Sequence, residues 1–200
     1  MNDKEKILKY AAKKGAISPR EIESVGISRQ KLYRLYREGK LVRVDRGTYS
    51  IRNVEPTEWH TYVTVAVAFP KSVICLLSAL QFHNLTTQNP HNVWIALDRE
   101  ADRRNPKRSR QPVSIVRFSG DSFSQGIETH SIEGVHVQIY SAAKTVADCF
   151  KYRNKIGLEI AIEAMTDCIR KKKATRDRIW QFAKICRVSK VIRPYMEAIT

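Results

Sequence analysis

The sequence predicts an α+β fold, in which a small helical module with a β-hairpin precedes a larger domain built on a small β-sheet flanked by helices. Two changes of apolar period support this. Helical spacing gives way to period-two spacing before residue 52. A cluster of β-branched segments between Val93 and Tyr140 is then followed by renewed helical spacing to the C-terminus. The expected division is 1–53 for the first domain and 54–200 for the second, with a linker over Asn53–Thr57 that contains Pro56.

The composition permits such a fold. With 42% hydrophobic residues, eight Gly and seven Pro in 200 residues, the chain can bury a core. Its formal net charge of +16 implies attraction to a polyanion, either nucleic acid or an anionic membrane surface. The opening residues have no apolar core of signal-peptide length, and no apolar run approaches a membrane span. Cys75, Cys149, Cys168 and Cys186 lack zinc-ligand spacing and are expected to be reduced core residues of a cytoplasmic protein.

Asp3 to Gly15 reads as a helix, with Ile7, Leu8, Ala11 and Ala12 on one side and Gly15 as the stop. In "SPRE", Ser18 can cap a second helix, Pro19 suits its first position and Glu21 completes a capping box. That helix uses Ile22 and Val25 and ends at Gly26, and Ser28 caps a third. At about 100° per residue, Leu32, Leu35 and Tyr36 share one apolar face of the third helix. Gln30, Arg34 and Arg37 cluster opposite, flanked by Lys31 and Tyr33.

Gly39 stops this helix and period two takes over. Val42 and Val44 alternate with Arg43, "DRG" turns the chain, and Tyr49 and Ile51 return. The result is a winged helix-turn-helix with Arg46 at the wing tip and Arg43 on its outer face. Gln pairs with adenine and Arg with guanine in the major groove, so Gln30 and Arg34 are the expected base readers. Ser28 and Arg29 suit phosphates at the helix N-terminus. Lys31, Tyr33, Arg37, Arg43 and Arg46 complete the expected DNA-binding set.

Beyond the linker, Trp59, Tyr62, Val63 and Ala66 predict a helix ending before Pro70. "SVICLLSALQFHNL" predicts a short extended entry and a helix over Leu77–His83, with Asn84 as a left-handed stop. Strands are expected at Val93–Leu97, Val113–Phe118 and Val135–Tyr140, with a weaker one in "IETHSI". Helices follow in "SAAKTVADCFKY", "GLEIAIEAMTDCIRKKK", Arg176–Cys186 and from Ser189. Two basic runs, the arginine-rich loop 99–110 and Arg170–Lys173, fit either an extended nucleic-acid footprint or solvated charge.

No phosphate-cradling Gly-rich loop, nucleophile elbow or His-Glu-x-x-His motif occurs, and no cofactor, metal site or catalytic residue is expected. Asp98 and Glu100 follow a strand and are the visible candidates for a metal-dependent nuclease. Such sites need several carboxylates converging on a cation. The alternatives to a DNA-binding repressor are therefore a DNA-directed nuclease with a C-terminal metal site, or an RNA- or protein-binding adaptor working through the arginine-rich loop.

"GKLVRVDRGTYSI", "VICLLSALQFHNLT", "VWIAL" and "VHVQIYSAAKTVADCF", in that order, resemble the AbiEi family of antitoxins from bacterial abortive-infection, phage-defence type IV toxin–antitoxin systems. Where relatives commonly carry "HGL", this chain has Asn84. The resemblance implies a two-domain transcriptional autorepressor. Its winged helix would bind inverted repeats in its own promoter, and its C-terminal domain would counter a nucleotidyltransferase-like toxin without a stable complex. It implies no membrane partner. No heptad or dimer helix is visible, so a monomer that pairs on DNA is expected.

Overall fold

The computed structural model describes residues 2–51, 57–100 and 111–199. It is a mixed α+β protein whose backbone contacts divide it into two compact units. The first unit comprises residues 1–70 and 129–137, and the second comprises residues 71–128 and 138–200. The linker expected over Asn53–Thr57 lies, except for Thr57, outside the described residues, as do residues 101–110 of the arginine-rich loop.

The first unit opens with α1 (Asp3–Lys14), α2 (Pro19–Ser24) and α3 (Arg29–Arg37). Each starts on a side-chain cap. Asn2 and Glu5 form a capping box on α1, Ser18 and Glu21 form one on α2, and Ser28 caps α3. The hairpin β1 (Leu41–Asp45) and β2 (Thr48–Ile51) follows, and then α4 (His60–Ala68). Ile7, Ala11, Ile17, Ile22, Ile27, Leu32, Leu35, Leu41 and Tyr49 make one buried cluster. Main-chain bonds of 2.8 Å in both directions between Ile17 and Tyr49 join the segment before α2 to β2.

Three apolar positions differ from the expected pattern. Val25 is 49% exposed because it is the C-cap of α2, where the helix ends, and Ala12 is also exposed. In β1, Leu41 takes the core position and Val42 faces solvent at 38% exposure. A register shift between Arg43 and Asp45 breaks the simple alternation there.

Residues 129–137 hold the turn between β6 (Ile127–Ile132) and β7 (Val135–Tyr140). Glu133 and Gly134 both have positive φ, 51° and 74°, as a two-residue hairpin turn requires. Glu133 accepts from the Thr57 amide at 2.6 Å and meets His60 Nδ1 at 2.7 Å. At Gly15 (φ 80°) a Cβ would lie 1.9 Å from the Gly134 carbonyl oxygen, so only glycine allows this approach.

The second unit contains β3 (Val73–Ile74), α5 (Leu76–Phe82), β4 (Val93–Asp98), β5 (Val113–Phe118) and α6 (Asp121–Ser124). It then continues with α7 (Ala142–Lys151), α8 (Arg153–Ile156), α9 (Leu158–Arg170), α10 (Arg176–Ile185) and α11 (Ser189–Ala198). The sheet order is β5-β4-β3-β7-β6. The two-residue β3 is its middle strand, antiparallel to β4 and parallel to β7. Asn84 ends α5 with φ 57°, the left-handed conformation expected of it. Among the described residues no helix is long and apolar enough to cross a membrane.

Helix α7 is buried on all sides from Ala142 to Phe150. Two ionisable side chains are fully enclosed with it. Lys144 Nζ donates to Asp148 Oδ2 at 2.5 Å and lies 4.1 Å and 4.5 Å from the ring centres of Tyr140 and Phe118. The Cys186 thiol donates to the other oxygen of Asp148 at 3.2 Å. All four cysteines are free and buried. Burial pushes the Cys168 thiol up to about 11 and the Cys186 thiol up to about 12, which keeps both protonated and unreactive.

Removing one member of a buried ion pair leaves the other uncompensated, at a typical loss of about 3–5 kcal/mol. Lys144→Met is therefore expected to lower the stability of the second unit by about that much in urea unfolding. Lys144→Met combined with Asp148→Leu should recover part of the loss, because no charge is then stranded.

Candidate nucleic-acid interface

The rotation of α3 about its axis follows from two leucines. Leu32 and Leu35 are fully buried against the first unit's cluster. At helical spacing this turns Gln30, Arg34 and Arg37 outward, and all three are exposed. Tyr36, expected on the apolar face, is instead 42% exposed and sits at its margin. Its ring packs edge-on against Tyr49 at 5.3 Å, as does Tyr33 at 5.9 Å. Tyr33 is thus half-buried, with part of its ring committed to the hairpin.

The remaining expected contact residues occupy one continuous stretch of this unit, but several have protein partners. The Ser28 hydroxyl accepts from the Gln30 amide at 3.3 Å and is spent as the α3 cap. Arg29 lies 3.5 Å from Glu23, and Lys31 pairs with Asp3 of α1. Arg34 Nε donates to Glu38 at 3.0 Å. Arg37 and Gln30 are exposed at the surface of α3, and Arg43 and Arg46 are exposed on the hairpin.

Two acids were not expected at this face. Asp3 and Glu38 both have carboxyls held below the usual carboxylate range, Asp3 chiefly by its bond from Lys31 and Glu38 chiefly by its bond from Lys4. The Arg34–Glu38 spacing was visible in the sequence as an i,i+4 pair. The Lys4–Glu38 and Lys31–Asp3 pairs join residues far apart in the chain and left no local signal.

The other expected candidates are differently placed. Asp98 Oδ1 accepts from the Glu100 amide at 2.9 Å, a local turn bond. Among the described residues no three His, Cys, Asp or Glu side chains converge as metal ligands. Within the basic run that ends α9, Arg170 and Lys171 both bond Asp167, at 3.1 Å and 2.6 Å, and Lys171 also donates to the Asn84 carbonyl at 2.8 Å.

A helix-turn-helix-like module presenting arginines and an amide from one exposed helix face is the kind found in transcriptional regulators. Comparison with known proteins agrees with that class. Residues 5–52 match the family described as "Transcriptional regulator, AbiEi antitoxin", which bears out over that segment the resemblance drawn from the sequence. No curated protein matches the chain. In fold the chain is similar to the crystal structure of the RV2827C protein from Mycobacterium tuberculosis. The TM-score is 0.51 at 12% identity, covering 98% of this chain and 80% of that one. At that identity the likeness concerns architecture alone.

Two outcomes follow for this unit. Asp3 and Glu38 have folded-state values below their unfolded ones, so their contribution is fully present above the usual carboxylate range. It is lost as pH falls through the depressed folded values. Asp3→Asn should therefore flatten the acid side of the stability–pH curve, read by thermal unfolding between neutral and acid pH. Separately, Ser28→Ala should cost about 1 kcal/mol through loss of the α3 cap, whereas Ser28→Asp should retain most of the stability.

Proposed function

We propose that this protein is a DNA-binding transcriptional autorepressor and antitoxin, whose residues 1–53 form a winged helix-turn-helix. The observation that carries the reading is the exposed face of α3. Gln30, Arg34 and Arg37 stand outward over the buried Leu32 and Leu35, and the exposed Arg43 and Arg46 extend the charge along the hairpin. An α-helix fits the major groove, where a Gln or Arg fork distinguishes base pairs. The net charge of +16 supplies the sequence-independent attraction such a protein needs.

In this reading Gln30 and Arg34 read bases, and Arg37 supports them. Arg29, Lys31, Arg43 and Arg46 meet the backbone, with Tyr33 and Ser28 holding the helix in place. Two copies of a monomer occupy inverted repeats in the promoter of the protein's own operon and block transcription. Residues 54–200 counter a cognate nucleotidyltransferase-like toxin in a type IV abortive-infection system, without a stable toxin complex. The protein acts in the cytoplasm and is not an enzyme. The family that residues 5–52 match is one of transcriptional regulators and antitoxins, which supports the reading of the first domain.

A gel-shift titration on the DNA upstream of the gene, against scrambled duplex at two salt concentrations, tests the reading. Selective, salt-sensitive binding in two successive shifts is expected. Arg34→Ala should relax discrimination at one base pair by about 1–3 kcal/mol. Arg46→Ala should weaken both duplexes alike and reduce the salt slope by about one contact. Equal binding of both duplexes by the wild-type protein would overturn the repressor. Cleavage of the duplex in the presence of magnesium or manganese would favour the nuclease instead.

A further inference from the structure

One charge on α3 has no explanation in helix stability. Glu38 is the C-cap of α3, beside the carbonyls that form the negative end of the helix dipole, where an acid is disfavoured. It also follows Arg34 in sequence, the less favourable order for an i,i+4 pair. Its carboxylate nonetheless holds two cations. Oε1 accepts from Lys4 Nζ at 2.9 Å and from Arg34 Nε at 3.0 Å, and Oε2 accepts from Lys4 at 3.2 Å. The exposure of the side chains rises from 30% at Glu38 to 71% at Arg34, so the carboxylate sits low on the surface and the arginine projects from it.

The nitrogen that Arg34 uses is informative. Donation through Nε leaves the two terminal nitrogens with no protein partner among the described residues. That terminal pair is one of the forks that engages guanine O6 and N7. A carboxylate beside the guanidinium also repels a phosphate, whereas the neutral acceptor edge of guanine carries no full charge to repel.

Taking α3 as the DNA-reading helix, we propose that Glu38 is a specificity-determining positioning residue. It fixes the Arg34 guanidinium through Nε so that the terminal nitrogens read a guanine edge in preference to the phosphate backbone. Glu38 itself touches no DNA. Lys4 neutralises the second half of its charge from α1 and ties the two helices together.

The test is a titration of full-length wild-type protein, Glu38→Gln, Lys4→Met, Arg34→Ala and the Glu38→Gln/Arg34→Ala pair against promoter and scrambled duplexes, with a melting curve for each. Exposed ion pairs contribute little to stability, so all are expected to fold. Glu38→Gln should bind scrambled DNA more tightly yet lose promoter preference by roughly tenfold, the size of one good base contact. In that background Arg34→Ala should cost little further preference, because the two residues act as one unit. Lys4→Met, which removes the tie between helices but leaves the Glu38–Arg34 bond, should keep the preference within about twofold.

Full preference retained by Glu38→Gln, additive losses in the pair, or an equal loss in Lys4→Met would each reduce Glu38 to a tie between α1 and α3 and overturn the inference. A wild-type protein that does not prefer its promoter would instead overturn the DNA-reading role of α3 itself.

Discussion

The candidate interface depends on the seam that Leu32 and Leu35 make with Ile7, Ile22, Ile27 and Leu41. Full burial of a leucine side chain contributes about 1.5–3 kcal/mol. Exposed ion pairs contribute a fraction of that, so the two leucines set the rotation of α3 and the cations follow. Each charged side chain on the outer face is positioned as a consequence of that apolar contact. A helix turned by one residue, about 100°, would bring Lys31 and Arg34 toward the core in one direction, at the cost of desolvating cations, and the bulkier Tyr33 and Tyr36 in the other. The geometry of the basic face is thus a consequence of packing.

In the second unit one ion pair is enclosed in the core. Lys144 and Asp148 lie inside α7 with no exposure, between aromatic rings and a thiol. Burial pushes the Asp148 carboxyl up, while the Lys144 ammonium and the Cys186 thiol draw it back. Such a pair is a weak source of net stability, since apolar residues of similar volume often do as well. Both groups belong to α7 at i,i+4 spacing, so the pair is satisfied within the helix itself. At Gly126 a Cβ would lie 2.8 Å from Lys144 Cβ and 2.9 Å from the Phe182 ring, so the backbone just before β6 packs closely on both α7 and α10.

Where the sequence was legible, the responsible forces are local. The α1 and α2 boundaries follow from Gly15, Ser18, Pro19, Glu21 and Gly26, each acting within four residues, and the Asn84 stop follows from its tolerance of positive φ. The four main strands stand out because β-branched runs are long enough to show a period. Elements of four residues, α6 and α8, are too short to show one. The place of β3 in the middle of the sheet depends on partners in β4 and β7 that are distant in sequence. Errors at Val25, Tyr36 and Val42 share one cause. A helical or strand period assigns a side, but the margin of that side is decided by where an element ends or a register shifts, as at the C-cap of α2 and the irregularity after Arg43.

The site shows the same limit. The basic residues of α3 and the hairpin could be placed on a surface from spacing alone, since exposure follows from the buried positions between them. Their partners could not, because Asp3 and Lys4 reach α3 from the far end of the unit. Those acids change what the face can do. A helix carrying only cations would attract every phosphate equally, and affinity would rise without selectivity. With Glu23 against Arg29, Asp3 against Lys31 and Glu38 against Arg34, three of the cations of α3 are partly neutralised before any partner arrives. A phosphate must compete with a carboxylate for each. The acids therefore restrain cations that exposure alone would read as unpaired. Charge alone does not produce that restraint, which comes from acids that the fold brings to the helix.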